Sequence, residues 1–127
     1  MKSELVKPVP TLHNDGKLTL DAVMSKLSEE PHFVAITSGD DKFEGLISST
    51  NLDKITGKDG IPDVQRAIVK RDKVIYATQQ DSLDDVARKM KQSRNRILPV
   101  LNNDAIVGIV ISYDILQKMR REVHIQV

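Results

Sequence analysis

Apolar and polar positions alternate along the chain in two rhythms, and the same succession of rhythms occurs twice. In the first half, Leu20, Val23, Met24 and Leu27 follow the i, i+3, i+4, i+7 spacing of one helix face. In the second half, Leu83, Val86, Ala87 and Met90 do the same. Thr19 and Ser82 stand just before these stripes, as N-caps whose hydroxyls accept from an orphan backbone N–H. Asp85, three residues after Ser82, makes an arrangement close to a capping box. Each predicted helix leads into a short apolar run with the length of a buried strand, residues 33–36 or 97–101. A polar turn cluster follows, Ser38-Gly39-Asp40-Asp41 or Asn102-Asn103-Asp104. Second strands are predicted over 43–47 and 105–111. Closing helices then carry Leu52 and Ile55, or Ile115, Leu116 and Met119, with Asn51 and Asp114 placed to cap them. A leading strand precedes each copy, clearest in Val74-Ile75-Tyr76-Ala77. The predicted order is β-α-β-β-α, given twice, which places the chain in the α+β class.

A shift of 63 residues superimposes the two copies. Thr19-Leu20-Asp21-Ala22-Val23 falls on Ser82-Leu83-Asp84-Asp85-Val86, Gly45 on Gly108, Ser49 on Ser112, and Val6-Lys7 on Val69-Lys70. No gap is needed between 19 and 55. The copies then span 1–56 and 64–127, joined by a linker at 57–63 that holds two Gly and one Pro. A unit of about 60 residues is marginal alone, so the two are expected to share one core and fold as a pair.

Composition narrows the chemistry. The chain has 127 residues and no cysteine, which excludes disulfides, thiolate metal sites and thiol catalysis. No apolar run approaches the roughly 20 residues of a membrane span, and no apolar stretch follows Met1-Lys2-Ser3-Glu4. A cytoplasmic location is the expectation. The formal net charge of +1 hides a split. Residues 1–63 carry 7 Lys/Arg and 11 Asp/Glu, whereas residues 64–127 carry 12 and 7. One half can attract an anion; the alternative is a solvated basic helix face.

The run Ile97-Leu98-Pro99-Val100-Leu101, a polar turn, Val107-Gly108-Ile109-Val110 and then Asp114-Ile115-Leu116 resembles a CBS domain. The duplication extends the likeness to a tandem pair, or Bateman module. The first copy departs from the family pattern, with Ile36 at the proline position and Asn51 at the aspartate position. The resemblance implies two β-α-β-β-α repeats packed sheet to sheet about a pseudo-two-fold axis, with two clefts. It implies a regulatory ligand sensor and not an enzyme. The expected ligand is an adenosine-containing molecule, AMP, ADP, ATP or an S-adenosyl compound, bound between the repeats, with no cofactor required. Pairs of this kind commonly form a homodimer through their helices, and the effector is expected in a partner protein.

The resemblance also distributes roles. Asp114, six residues after Gly108, is implied to accept from the ribose hydroxyls; the alternative is that it only caps the last helix. Tyr113 and Ile111 lie in the same segment, and Ile111 stands where the family usually has Ser or Thr. Arg96 and Arg94 precede the strand at 97 and are implied to reach phosphates, for which a planar guanidinium is suited. Leu12 and Val34 are implied to form the adenine slot. A second, weaker cleft is expected from Ser48, Thr50, Asn51 and Ile75, because an amide accepts without charge assistance.

Other chemistries find no support in the residues. His13, His32 and His124 have no zinc-like spacing, and Gly57-Lys58 lacks the glycine pattern of a phosphate-binding loop. Four aromatic residues are too few for a base-stacking platform. Lys118, Arg120 and Arg121 are expected to form a solvated helix face. The alternatives to ligand sensing are a ligand-free structural or dimerisation module and, behind it, a basic nucleic-acid adaptor.

Overall fold

The computed structural model describes residues 3–16, 18–55 and 63–125. The predicted linker lies mostly outside these residues. By contacts the chain divides into two compact units, residues 9–74, and residues 75–127 together with 1–8.

The unit of residues 9–74 is a four-stranded sheet with one α-helix. Strand β1 (Thr11–His13) is followed by helix α1 (Leu20–Leu27), strands β2 (Phe33–Thr37) and β3 (Phe43–Ser48), and later β4 (Val69–Lys70). The strand order is β1-β2-β3-β4, with β1 parallel to β2 and the other pairs antiparallel. Thr19 caps α1 by accepting from the Ala22 N–H at 3.1 Å, as the sequence predicts. Val23 and Leu27 enter a core with Val34, Ile36, Ile47, Ile55 and Ala67. Met24, expected on the same stripe, is 48% exposed.

The second unit repeats the plan. Strand β5 (Ala77–Thr78), helix α2 (Leu83–Ser93), strands β6 (Ile97–Asn102) and β7 (Ala105–Ile111) and helix α3 (Ser112–Ile125) follow in order. The sheet order is β5-β6-β7, with β5 parallel to β6 and β6 antiparallel to β7. The capping box forms as predicted: the Asp85 N–H donates to Ser82 Oγ and the Ser82 N–H to Asp85 Oδ2, each at 3.1 Å. Val86, Met90, Leu98, Val100, Val110 and Ile115 build the core, joined by Leu5 and Ala77. Each unit thus has its own cluster of buried apolar side chains.

Three sequence expectations need correction. The strand expected over 74–77 is only Ala77–Thr78; Val74 closes a short 3-10 turn that starts at Arg71. The closing helix of the first copy is a 3-10 helix, Ser49–Lys54, capped by Ser48, with Asn51 inside the first turn. Likewise α3 begins at Ser112, so Asp114 lies in its first turn and is not its cap.

Strand pairing also refines the repeat. Gly45 lies opposite Ile36, and Gly108 opposite Val100. With the glycines superimposed, the preceding strands match at a shift of 64, and Ala35, not Ile36, is the counterpart of Pro99. The ungapped alignment fails because the stretch from helix start to next strand is one residue longer in the second copy, Leu83 to Ile97 against Leu20 to Phe33.

The two glycines share a physical reason. A Cβ on Gly108 would run into the Lys7 carbonyl and the Val6 side chain; a Cβ on Gly45 would run into the Val69 carbonyl and the Ile68 side chain. A short segment crosses each strand at that point. In the second unit it is held by the Lys7 N–H donating to the Ile109 carbonyl and the Ile109 N–H to the Lys7 carbonyl, both 2.8 Å. Lys7 is therefore equivalent to Val69, one residue away from the match that the sequence shift suggests.

Asp81 fastens β5 to α2. Its Oδ2 accepts from the Thr78 N–H at 3.0 Å and lies 2.6 Å from the Lys89 ammonium. Burial alone would raise its pKa, but the Lys89 and Thr78 hydrogen bonds outweigh this and hold it below the ordinary carboxylate value.

Two outcomes follow for stability. Gly108→Ala should cost at least about 2 kcal/mol in urea unfolding, because backbone must move to admit the methyl group. Gly39→Ala, with open space around its Cα, should stay within about 0.5 kcal/mol. Asp81→Asn should cost about 1–2 kcal/mol at neutral pH. Because the folded state depresses this pKa, the Asp81 contribution is present above about pH 4 and is lost as the pH falls through the folded value. Urea unfolding between pH 2 and 6 should accordingly show a shallower pH dependence for Asp81→Asn than for the parent.

Candidate functional site

The start of α3 and the crossing segment create an open cleft of about 460 Å³ in the second unit, lined by Glu4, Lys7, Tyr113, Asp114, Lys118 and Arg121 among others. The crossing backbone is fixed on β7, so the Lys7 side chain is delivered to the first turn of α3. There its ammonium lies 3.2 Å from Asp114 Oδ2. The same oxygen is buried, yet it receives no hydrogen bond of acceptable geometry. The pair is close enough to attract but misaligned for a bond, and the carboxylate keeps unused accepting capacity. The α3 N-terminus further favours a negative charge at this position. Tyr113 is 67% exposed at the rim.

Lys118 and Arg121 stand four and seven residues after Asp114, a spacing that puts all three on one helix face. Lys118 is mostly covered, with its ammonium 3.6 Å from Glu4 Oε1. The expected solvated basic face is thus partly a wall of the cleft. The sequence carried this signal in the i, i+4, i+7 spacing. It carried none for Lys7, whose proximity to Asp114 depends on the crossing segment and a contact over more than 100 residues.

Arg94 and Arg96 line a different depression, of about 300 Å³, with Lys91, Ser112 and Leu116. Arg94 ends α2 in the left-handed conformation, φ 58°, and the Arg96 carbonyl accepts from the Ser112 N–H at 2.7 Å. They are not brought into the Asp114 cleft. Ile111, the last residue of β7, is half-buried and pairs with Ile97. Val34 is fully buried in the core of residues 9–74, and Leu12 packs against that core. Ile75, expected at the weaker site, packs on the core of the second unit.

Where the sequence suggests a second, weaker cleft, the polar groups satisfy one another. Asn51 Oδ1 accepts from the Ser48 N–H at 3.2 Å and from the Ser48 hydroxyl at 2.8 Å. The Ser48 and Thr50 hydroxyls are 2.7 Å apart. Both lone pairs of the Asn51 carbonyl are taken, so it has little to offer a ribose. Asp114 and Asn51 occupy matching positions in the repeat and differ in this respect.

Among the described residues no group of three or more His, Asp or Glu could hold a metal ion, and no helix is long and apolar enough to cross a membrane.

A family model for the CBS domain matches residues 66–121. No curated protein sequence matches the chain. Among solved structures, the CBS domain pair of protein MJ0100, in complex with 5′-methylthioadenosine and S-adenosyl-L-methionine, superimposes with a TM-score of 0.74 at 23% identity, covering 94% of each chain. The cytosolic domain of the Mg2+ channel MgtE in complex with ATP gives 0.71 at 21% identity, over 89% of this chain and 46% of that one. A CBS-domain containing protein, ATU1752 from Agrobacterium tumefaciens, gives 0.66 at 22% identity, over 87% and 84%.

Proposed function

Because the chain is a CBS domain-containing protein with the fold of a CBS domain pair, we propose that it is a regulatory module that binds an adenosine-containing ligand at Asp114. It acts through binding and not through catalysis, and the bound state alters a partner protein. The observation that carries this reading is the buried Asp114 Oδ2, which lacks a donor of good geometry in an open cleft. A ribose supplies two adjacent hydroxyl donors, and a carboxylate takes both at once. The ligands of MJ0100, a nucleoside thioether and a sulfonium, and that of MgtE, a nucleotide, share that diol.

The saturated Asn51 makes the first-copy site the weaker of the two, and we assign the main affinity to Asp114. Leu116 on α3 is 57% exposed and Met24 on α1 is 48% exposed. These apolar side chains favour helix-mediated self-association, so the proposal includes a homodimer. A ligand changes a partner's state only by binding two conformations unequally. The partner therefore reads whatever α3 and the crossing segment do when Asp114 is occupied.

Thermal unfolding with AMP, ATP, 5′-methylthioadenosine and S-adenosylmethionine tests the reading. A true ligand at 100 times its Kd should add about 2.7 kcal/mol of stability. Asp114→Ala should unfold like the parent without ligand and lose this gain. If no adenosyl compound stabilises the parent, the chain is a ligand-free dimerisation module; if Asp114→Ala keeps the gain, the ligand binds elsewhere.

A further inference from the structure

We infer that Lys7 selects the charge class of the ligand at Asp114, admitting adenosyl compounds that carry a negative group and disfavouring neutral or cationic ones. The inference rests on the adenosyl-binding reading of the same cleft and adds its specificity.

In the structure the Lys7 ammonium and the Asp114 carboxylate are each other's counter-ions at 3.2 Å. A ribose that donates to this carboxylate must share it with the ammonium or displace it. The backbone of Lys7 cannot retreat, since two 2.8 Å hydrogen bonds tie it to Ile109 and Gly108 lies directly beneath its carbonyl. Only the half-exposed side chain can swing. It then remains at the cleft with its charge uncompensated. The neighbouring charges do not help it. Among the described residues, Glu4 is the only other carboxylate of the lining, and it is engaged by Lys118 at 3.6 Å. Arg121 adds a further cation on the same helix face. Among the described residues three cations stand against two carboxylates, which makes the lining net positive.

A phosphate on the ligand replaces the counter-ion that Lys7 gives up, and a charge-assisted contact is about twice as strong as a neutral one. A neutral nucleoside takes the carboxylate from Lys7 and returns nothing. A sulfonium places a positive charge among Lys7, Lys118 and Arg121, where like charges repel. Lys7 is thus a specificity-determining residue; the resemblance to the CBS pattern assigns it no role.

Isothermal titration of the full chain with AMP, ATP, adenosine and S-adenosylmethionine tests this, comparing the parent with Lys7→Gln. The parent should bind AMP about tenfold or more tightly than adenosine, and S-adenosylmethionine no better than adenosine. Lys7→Gln should weaken AMP about tenfold while adenosine changes by less than about twofold. Unfolding curves for both chains confirm that the exposed substitution leaves the fold intact. The inference is overturned if the parent binds adenosine or S-adenosylmethionine as tightly as AMP, or if Lys7→Gln weakens AMP and adenosine equally. In both cases binding at Asp114 survives. Absence of binding by all four compounds instead overturns the adenosyl reading itself, and the inference with it.

Discussion

A pair of backbone hydrogen bonds between Lys7 and Ile109, made directly over Gly108, positions most of what matters in this chain. They tie a segment from one end of the chain to a strand near the other end. They add Leu5 to the core around Val110 and Ile115. They also bring a cation to a helix start where a carboxylate already sits. The first copy has the same device, with Val69 crossing over Gly45. Both strands need glycine there because a carbonyl lies where a Cβ would be. A backbone constraint of this kind is stiffer than a side-chain contact, and it leaves the Lys7 side chain as the movable part of an otherwise fixed cleft.

The two copies then diverge through hydrogen-bond accounting. In the first, an amide stands at the start of the closing helix and Ser48 fills both of its lone pairs. In the second, Ile111 stands where Ser48 does, and it has no hydroxyl to donate. The first-copy amide thus has a hydroxyl donor that the second-copy carboxylate lacks. Lys118 and Arg121, two of the basic residues of the more basic half, stand at the open carboxylate.

Much of the fold was legible in the residues. The stripes Leu20–Leu27 and Leu83–Met90, the caps Thr19 and Ser82, and the four main strands follow from local periodicity and local hydrogen bonding, which a sequence exposes directly. The glycine pair Gly45 and Gly108 was visible as an identity between copies, though its cause was not. What the residues hid depends on distant partners. Strand register moved the proline counterpart from Ile36 to Ala35, because helix and following loop together are one residue longer in the second copy. The crossing segment at Lys7 joined the opposite ends of the chain in a way that periodicity cannot report. Asp114 was legible as a candidate through the resemblance to the CBS pattern, which its spacing to Gly108 matches. Lys7 was not, and Arg94 and Arg96, adjacent to it by pattern, line a separate depression. Proximity in the repeat pattern did not guarantee proximity in space.

The central claim is that the unfilled Asp114 oxygen is completed by the hydroxyls of a ribose. Comparing AMP with 2′,3′-dideoxy-AMP in one titration isolates those two donors while leaving base and phosphate unchanged. The account predicts that removing both hydroxyls weakens binding by about tenfold or more, the cost of losing hydrogen bonds to a charged acceptor. Equal affinity for the two nucleotides would contradict it.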